Sequence, residues 1–257
     1  MWREQYRDAS NLDARTALYR RFAVSDEPPF PEWMFRQLDL PAAARVLELG
    51  CGPGSFWSAN RDRVPSGWAV MLSDLSPGMV QTARERIAGV NAGFSFAVLD
   101  AGAIPFRDRS FDAVVANYML YHVPDLDGAL REVSRVLVTG GRLYASTNGR
   151  RHLSELHDAV RRVAGVDMPP VPHETGFNLD GGGDQLGKVF GHVRLLRYES
   201  HLEVTEAQPV LDYVASTVTM KAAAGSPALR RHIESAIERD GRYRITQDTG
   251  MFVAVKG

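Results

Sequence analysis

Cysteine is almost missing from this chain: Cys51 is the one thiol in 257 residues. That excludes an internal disulfide and any cysteine-rich zinc site, and it fits a reducing compartment. A surplus of either charge is missing too, with 30 Lys and Arg against 31 Asp and Glu and a formal net charge of −1. Proteins that grip a polyanion rely on surplus cationic side chains, so no nucleic-acid partner is expected. No window approaches the roughly 18 uncharged apolar residues that a membrane span needs. The opening Met1-Trp2-Arg3-Glu4-Gln5-Tyr6-Arg7-Asp8 carries charges throughout and begins no apolar stretch of signal-peptide length. A cytoplasmic protein with no membrane partner is the expectation. Internal repeats and low-complexity tracts are absent as well. What is present, 44% hydrophobic and 24% charged residues, suits a globular chain able to bury its own core.

Short apolar runs alternate with helix-compatible segments. Arg45 to Leu49 reads as a strand that breaks at the glycine-rich turn Gly50-Cys51-Gly52-Pro53-Gly54 and gives way to a helix. Trp68 to Asp74 repeats the pattern, with Ser76-Pro77 starting a helix that runs to Ile87. Phe94 to Leu99, Phe111 to Asn117 and Gly141 to Thr147 read as further strands, with a helix over Leu126 to Leu137. This alternation predicts an α/β fold around a mostly parallel sheet covered on both faces. Residues up to about Leu40 read as a helical lead-in. Beyond Asn148 the reading is a helix over Leu153 to Val163, a strand over His192 to Tyr198, helices over Val210 to Ser216 and Ala228 to Arg239, and a closing strand over Gly250 to Val255.

In open α/β sheets ligands sit beyond the carboxyl ends of the strands, so chemistry-bearing residues should follow each apolar run. Gly50, Gly52 and Gly54 permit close backbone approach, and Asp74 comes 24 residues after Gly50, where the neighbouring strand ends. A carboxylate there can accept both hydroxyls of a ribose. A glycine turn that serves packing alone is the competing reading, and Asp74 weighs against it. Nicotinamide and S-adenosylmethionine (SAM) proteins share this arrangement. The dinucleotide fingerprint G-x-G-x-x-G/A would place its third small residue at position 55, which is Ser, while the third glycine arrives one place early at Gly54. Glu48 also opposes a pyrophosphate at the turn and favours a cationic amino acid moiety.

With these residues in place, Val46-Leu47-Glu48-Leu49-Gly50-Cys51-Gly52-Pro53-Gly54 resembles the first motif of class I SAM-dependent methyltransferases. Ser73-Asp74-Leu75-Ser76-Pro77, Asp100-Ala101 with Ile104-Pro105-Phe106, Ser110-Phe111-Asp112, Leu120-Tyr121-His122-Val123-Pro124-Asp125 and Arg135-Val136-Leu137 follow in order. Over about residues 40 to 150 the series resembles the small-molecule methyltransferases related to the ubiquinone and menaquinone methylases. The resemblance implies a Rossmann-like fold with a seven-stranded sheet, in a single domain: a helical lid over 1–40, a SAM-binding core over 41–150, and substrate-cap elements with the last strands over 151–257. It implies that Gly50 and Gly52 lie against the methionine part of SAM with Glu48 fixing it, and that Asp74 takes the ribose hydroxyls. Leu75 packs on adenine, Asp100 and Ala101 meet the adenine edge, Asn117 lies beside the sulfonium, and Tyr6 closes over the cofactor.

Methyl transfer asks mainly for proximity and exclusion of water. Where the acceptor must lose a proton, His122 is the candidate base, because a neutral imidazole with a pKa of about 6.5 accepts one at physiological pH. A cofactor-orienting or packing role for His122 stays open beside that reading. Tyr118, Tyr121, His173, Glu174 and His201 are further candidates. Cytosine C5 methylation needs a cysteine nucleophile, and Cys51 sits inside the turn. Asn117-Tyr118-Met119-Leu120 departs from the N/D-P-P-Y motif of base amino methylation, and Asn117 stands where a catechol-type magnesium site would place an acid. No metal is expected. The reading is SAM-dependent methyl transfer to a small-molecule acceptor, with a non-catalytic SAM-binding partner protein as the alternative.

Overall fold

The computed structural model describes residues 10–90 and 93–257, which gather into two compact units. The larger unit takes Pro28–Gly149, Pro172–Tyr198 and Thr249–Gly257; the smaller takes the described residues up to Glu27, Arg150–Val171 and Glu199–Asp248. Among the described residues eight strands run in chain order as β1 (Ala23–Val24), β2 (Arg45–Leu49), β3 (Ala69–Asp74), β4 (Gly93–Val98), β5 (Phe111–Asn117), β6 (Leu137–Asn148), β7 (His192–Val204) and β8 (Tyr243–Val255).

Within the larger unit the strand order is β7-β8-β6-β5-β2-β3-β4. Strands β4, β3, β2, β5 and β6 are parallel, with Val46 opposite both Val70 and Ala113, and Asn117 opposite Ser146. β8 is antiparallel to β6, from Arg142 opposite Val255 to Asn148 opposite Thr249. Ala113 to Ala116 are buried without interruption. A parallel strand covered on both faces has no solvent side, which is why this run reads as continuously apolar rather than alternating.

Helices follow the strands where the caps allow. The helix α1 (Pro77–Ile87) starts at Ser76, whose Oγ accepts from Met79 N, and it buries Met79, Val80, Ala83 and Ile87. The helix α2 (Leu126–Val136) starts at Asp125, which accepts from Gly128 N at 2.9 Å, and it buries Ala129, Leu130, Val133 and Val136 at helical spacing. One sheet face of this unit packs around Trp57, Phe56, Trp33 and Tyr144, and the other around Leu47, Leu49, Val114, Leu130 and Phe252.

The smaller unit has its own core, in which Leu18, Leu156, Val160, Val210, Val214, Leu229 and Ile233 are buried together. Its helix α3 (Pro227–Asp240) is capped by Ser226 and stops at Gly241, φ +73°. Here β1 pairs antiparallel with β7, Ala23 opposite Leu202. This two-residue strand is the eighth, one more than the seven expected. The helix expected from Leu153 to Val163 is present, α-helical over Ser154–Asp158 and π-helical over Ala159–Val163.

Candidate cofactor site

The site is built on the carboxyl ends of β2, β3 and β5. β2 carries one acid in an otherwise apolar interior, Glu48, which is 1% exposed. Its carboxylate accepts from Trp57 Nε1 at 2.7 Å and from Asn117 Nδ2 at 3.1 Å. Asn117 Oδ1 in turn accepts from Ser146 Oγ at 2.9 Å, so the amide orientation is set from both ends. Burial pushes the Glu48 carboxyl up to about 7, against the pull of the two hydrogen bonds, with nearby Asp74 adding to the rise.

Past Leu49 the backbone turns left-handed at Gly50, φ +64°, and at Gly52, φ +52°. A Cβ at Gly50 would stand 2.7 Å from Met119 Cβ, whereas a Cβ at Gly52 would meet nothing within 4 Å. Gly50 is therefore required by a neighbour, and Gly52 leaves the turn open on the side where a ligand would lie. Cys51 N donates to Ser73 O at 2.8 Å, and Ser73 Oγ donates to Glu48 O at 2.6 Å, which fastens the turn to β3. The Cys51 thiol is buried, and that burial, with Glu48 and Asp74 nearby, holds it far above its usual range. A buried thiol held protonated is poorly suited to act as a nucleophile.

Asp74 ends β3 and accepts from Gly52 N at 2.9 Å through one oxygen and from Ser76 N at 2.8 Å through the other. Each oxygen keeps a further lone pair for a hydroxyl donor. Burial raises the Asp74 pKa, while the bonds from Ser76 and Gly52 lower it. Next along the chain Leu75 is 60% exposed. Leu99 N donates to Asp74 O at 3.2 Å, which sets the Asp100-Ala101 turn beside Asp74. Asp100 Oδ1 accepts from Gly102 N at 2.8 Å, and Ala101 is buried.

The structure thus brings Glu48, Gly50, Gly52, Asp74, Asp100, Ala101 and Asn117 to one edge of the sheet, with Leu75 exposed beside them. His122 ends the short 3-10 turn Leu120–His122, and its ring lies 4.5 Å from that of Tyr121, itself 6.5 Å from His173. Tyr6 lies outside the described residues. Sequence reasoning did not assign Trp57, Ser146 or Thr249 to the site. Trp57 carried a signal, since an indole N–H that becomes buried needs an acceptor, and Glu48 is nine residues away.

A family model described as a methyltransferase domain matches residues 47–145. The ubiquinone/menaquinone biosynthesis C-methyltransferase UbiE of Xanthomonas campestris is 42% identical over 100 residues, 38% of this chain and 40% of that protein. The malonyl-[acyl-carrier protein] O-methyltransferase of Methylococcus capsulatus is 38% identical over 125 residues, 49% of this chain and 45% of that protein. The chain therefore matches less than half the length of these curated relatives. Among solved structures, phosphoethanolamine N-methyltransferase 2 of Haemonchus contortus, in complex with S-adenosyl-L-methionine, superimposes with a TM-score of 0.60 at 20% identity, covering 99% of this chain and 58% of that one. The strand order and the match over residues 47–145 agree: this segment is similar to a methyltransferase domain and has the fold of a methyltransferase solved with S-adenosyl-L-methionine.

Proposed function

We propose that this protein transfers the methyl group of SAM to a small-molecule acceptor. The observation that carries the reading is the single array of Glu48, the Gly50 turn and Asp74 within the matched domain. Asp74 accepts the ribose hydroxyls, Leu75 and the Asp100-Ala101 turn hold adenine, and the backbone of Gly50 and Gly52 lies along the methionine part. Ionised Glu48, with Asn117 beside it, answers the positive charge of that part. When bound, SAM supplies a methyl carbon already activated by its sulfonium, so proximity and a dry site supply much of the rate. His122, in this reading, serves as the acceptor-side base. The protein is assigned to the cytoplasm.

Titration calorimetry tests the cofactor: SAM and S-adenosylhomocysteine bind, and NAD does not. Asp74→Ala weakens SAM through the loss of charge-assisted hydrogen bonds worth roughly 1.5–3 kcal/mol each. Wild-type affinity in that variant counts against the assignment. Transfer is then read by incubating the enzyme with methyl-labelled SAM and pooled small metabolites. Binding without label transfer to any of them favours the non-catalytic reading.

A further inference from the structure

This inference rests on the methyltransferase reading and concerns what holds the cofactor residues in place. Tyr118 directly follows Asn117, and its backbone sits at φ +53°, in the left-handed region that bulky side chains avoid. Two tethers hold it there. Its N–H donates to Ser146 O at 3.0 Å, and its phenol lies 2.6 Å from Thr249 Oγ1. Thr249 Oγ1 in turn donates to Thr147 O at 3.3 Å, which leaves the phenol as donor in the pair. Phe30 packs against the same ring at 5.8 Å. Burial keeps the phenol neutral well above its usual range, so it serves as a donor rather than a base.

The turn acts on the residues to either side of it. Before it, Asn117 divides its amide between Glu48 Oε1 and Ser146 Oγ. After it, Met119 is set against Gly50, filling the space a side chain there would need. A relaxed backbone at 118 would redirect both, and strain of this kind persists only where the surroundings over-determine it. We propose that Tyr118 is a positioning residue: by holding Thr249, its phenol keeps residue 118 in the left-handed turn and so aims Asn117 at Glu48 and Met119 at Gly50. Tyr118 itself need not touch the cofactor.

The test is calorimetric binding of S-adenosylhomocysteine from about pH 5.5 to 8.5, a window that brackets the titration of Glu48. The groups facing Glu48 are the Trp57 indole and the Asn117 amide, with Asp74 and Cys51 nearby. Tyr118→Phe and Thr249→Val should each weaken binding by about 3- to 10-fold, the loss of one buried hydrogen bond. The double variant should be no worse than either single one. The midpoint of the pH dependence should move upward in each, because Asn117 no longer favours ionised Glu48. Thr249→Ser, which keeps the hydroxyl, should restore both affinity and midpoint. Variants that bind as wild type at an unchanged midpoint overturn the proposal. So does weaker binding with lowered thermal stability and an unmoved midpoint, which is a loss of packing alone. A wild-type protein that binds no S-adenosylhomocysteine fails the methyltransferase reading itself, and both fall together.

Discussion

Glu48 links the cofactor site to pH. Its carboxyl is raised from a usual 4.5 to about 7, so the folded protein holds that proton more tightly than the unfolded chain does. The stability this contributes is complete below the unfolded value and is lost as pH rises through about 7. Glu48→Gln, permanently neutral, should therefore flatten the fall in thermal stability between those two values when the unliganded proteins are compared. An identical slope in wild type and variant rejects the assignment. A cationic ligand favours the ionised form, so SAM should bind more tightly as pH rises through the same range. For His122 the expected outcome is that His122→Gln preserves SAM binding, lowers turnover by roughly 10²- to 10⁴-fold and removes the acid-side limb of the pH–rate profile. Weaker SAM binding with an unchanged profile would instead show that the imidazole orients the cofactor or fills space.

The turn after β2 makes its prediction at the scale of an element. Gly50→Ala places a Cβ 2.7 Å from Met119 Cβ and demands a positive φ from alanine, so SAM affinity should collapse and stability should fall by roughly 1–3 kcal/mol. Met119→Gly in the same chain removes the clashing Cβ but not the φ strain, so rescue should be partial. Full rescue, measured by denaturant unfolding, would mean the left-handed turn costs nothing. At this scale much could be read from residues alone. β2, β3 and β5 are inner strands whose largely apolar runs announce themselves, and the caps Ser76 and Asp125 mark where helices start. β7 and β8 extend beyond the strands expected over His192 to Tyr198 and Gly250 to Val255, since their outer halves alternate, with Leu202 and Val204 or Tyr243 and Ile245 buried and charged residues between them. The glycines and the two acids of the candidate site are legible as candidates because backbone approach and charge are local requirements. The hold of Thr249 on Tyr118 was not, because it joins residues 131 apart.

For the whole molecule, near-balanced charge predicts that any contact with RNA stays weak and loses little on adding salt. A steep salt slope, reflecting several displaced counterions, would contradict the small-molecule reading. The order in which the sheet is completed has a consequence for biosynthesis. β8 lies between β7 and β6, yet residues 249–255 come after everything they pair with in the larger unit. While the chain is being synthesised, the edge of β6 from Arg142 to Asn148 therefore stays without this partner until residues 249–255 leave the ribosome. An unpaired edge invites pairing with another nascent chain. A chain stopped after Asp248 should be recovered mainly as aggregate or bound to chaperones. Adding a synthetic peptide of residues 249–257 during refolding should raise the soluble fraction, since the missing strand enters by pairing along β6 and needs no covalent link to do so.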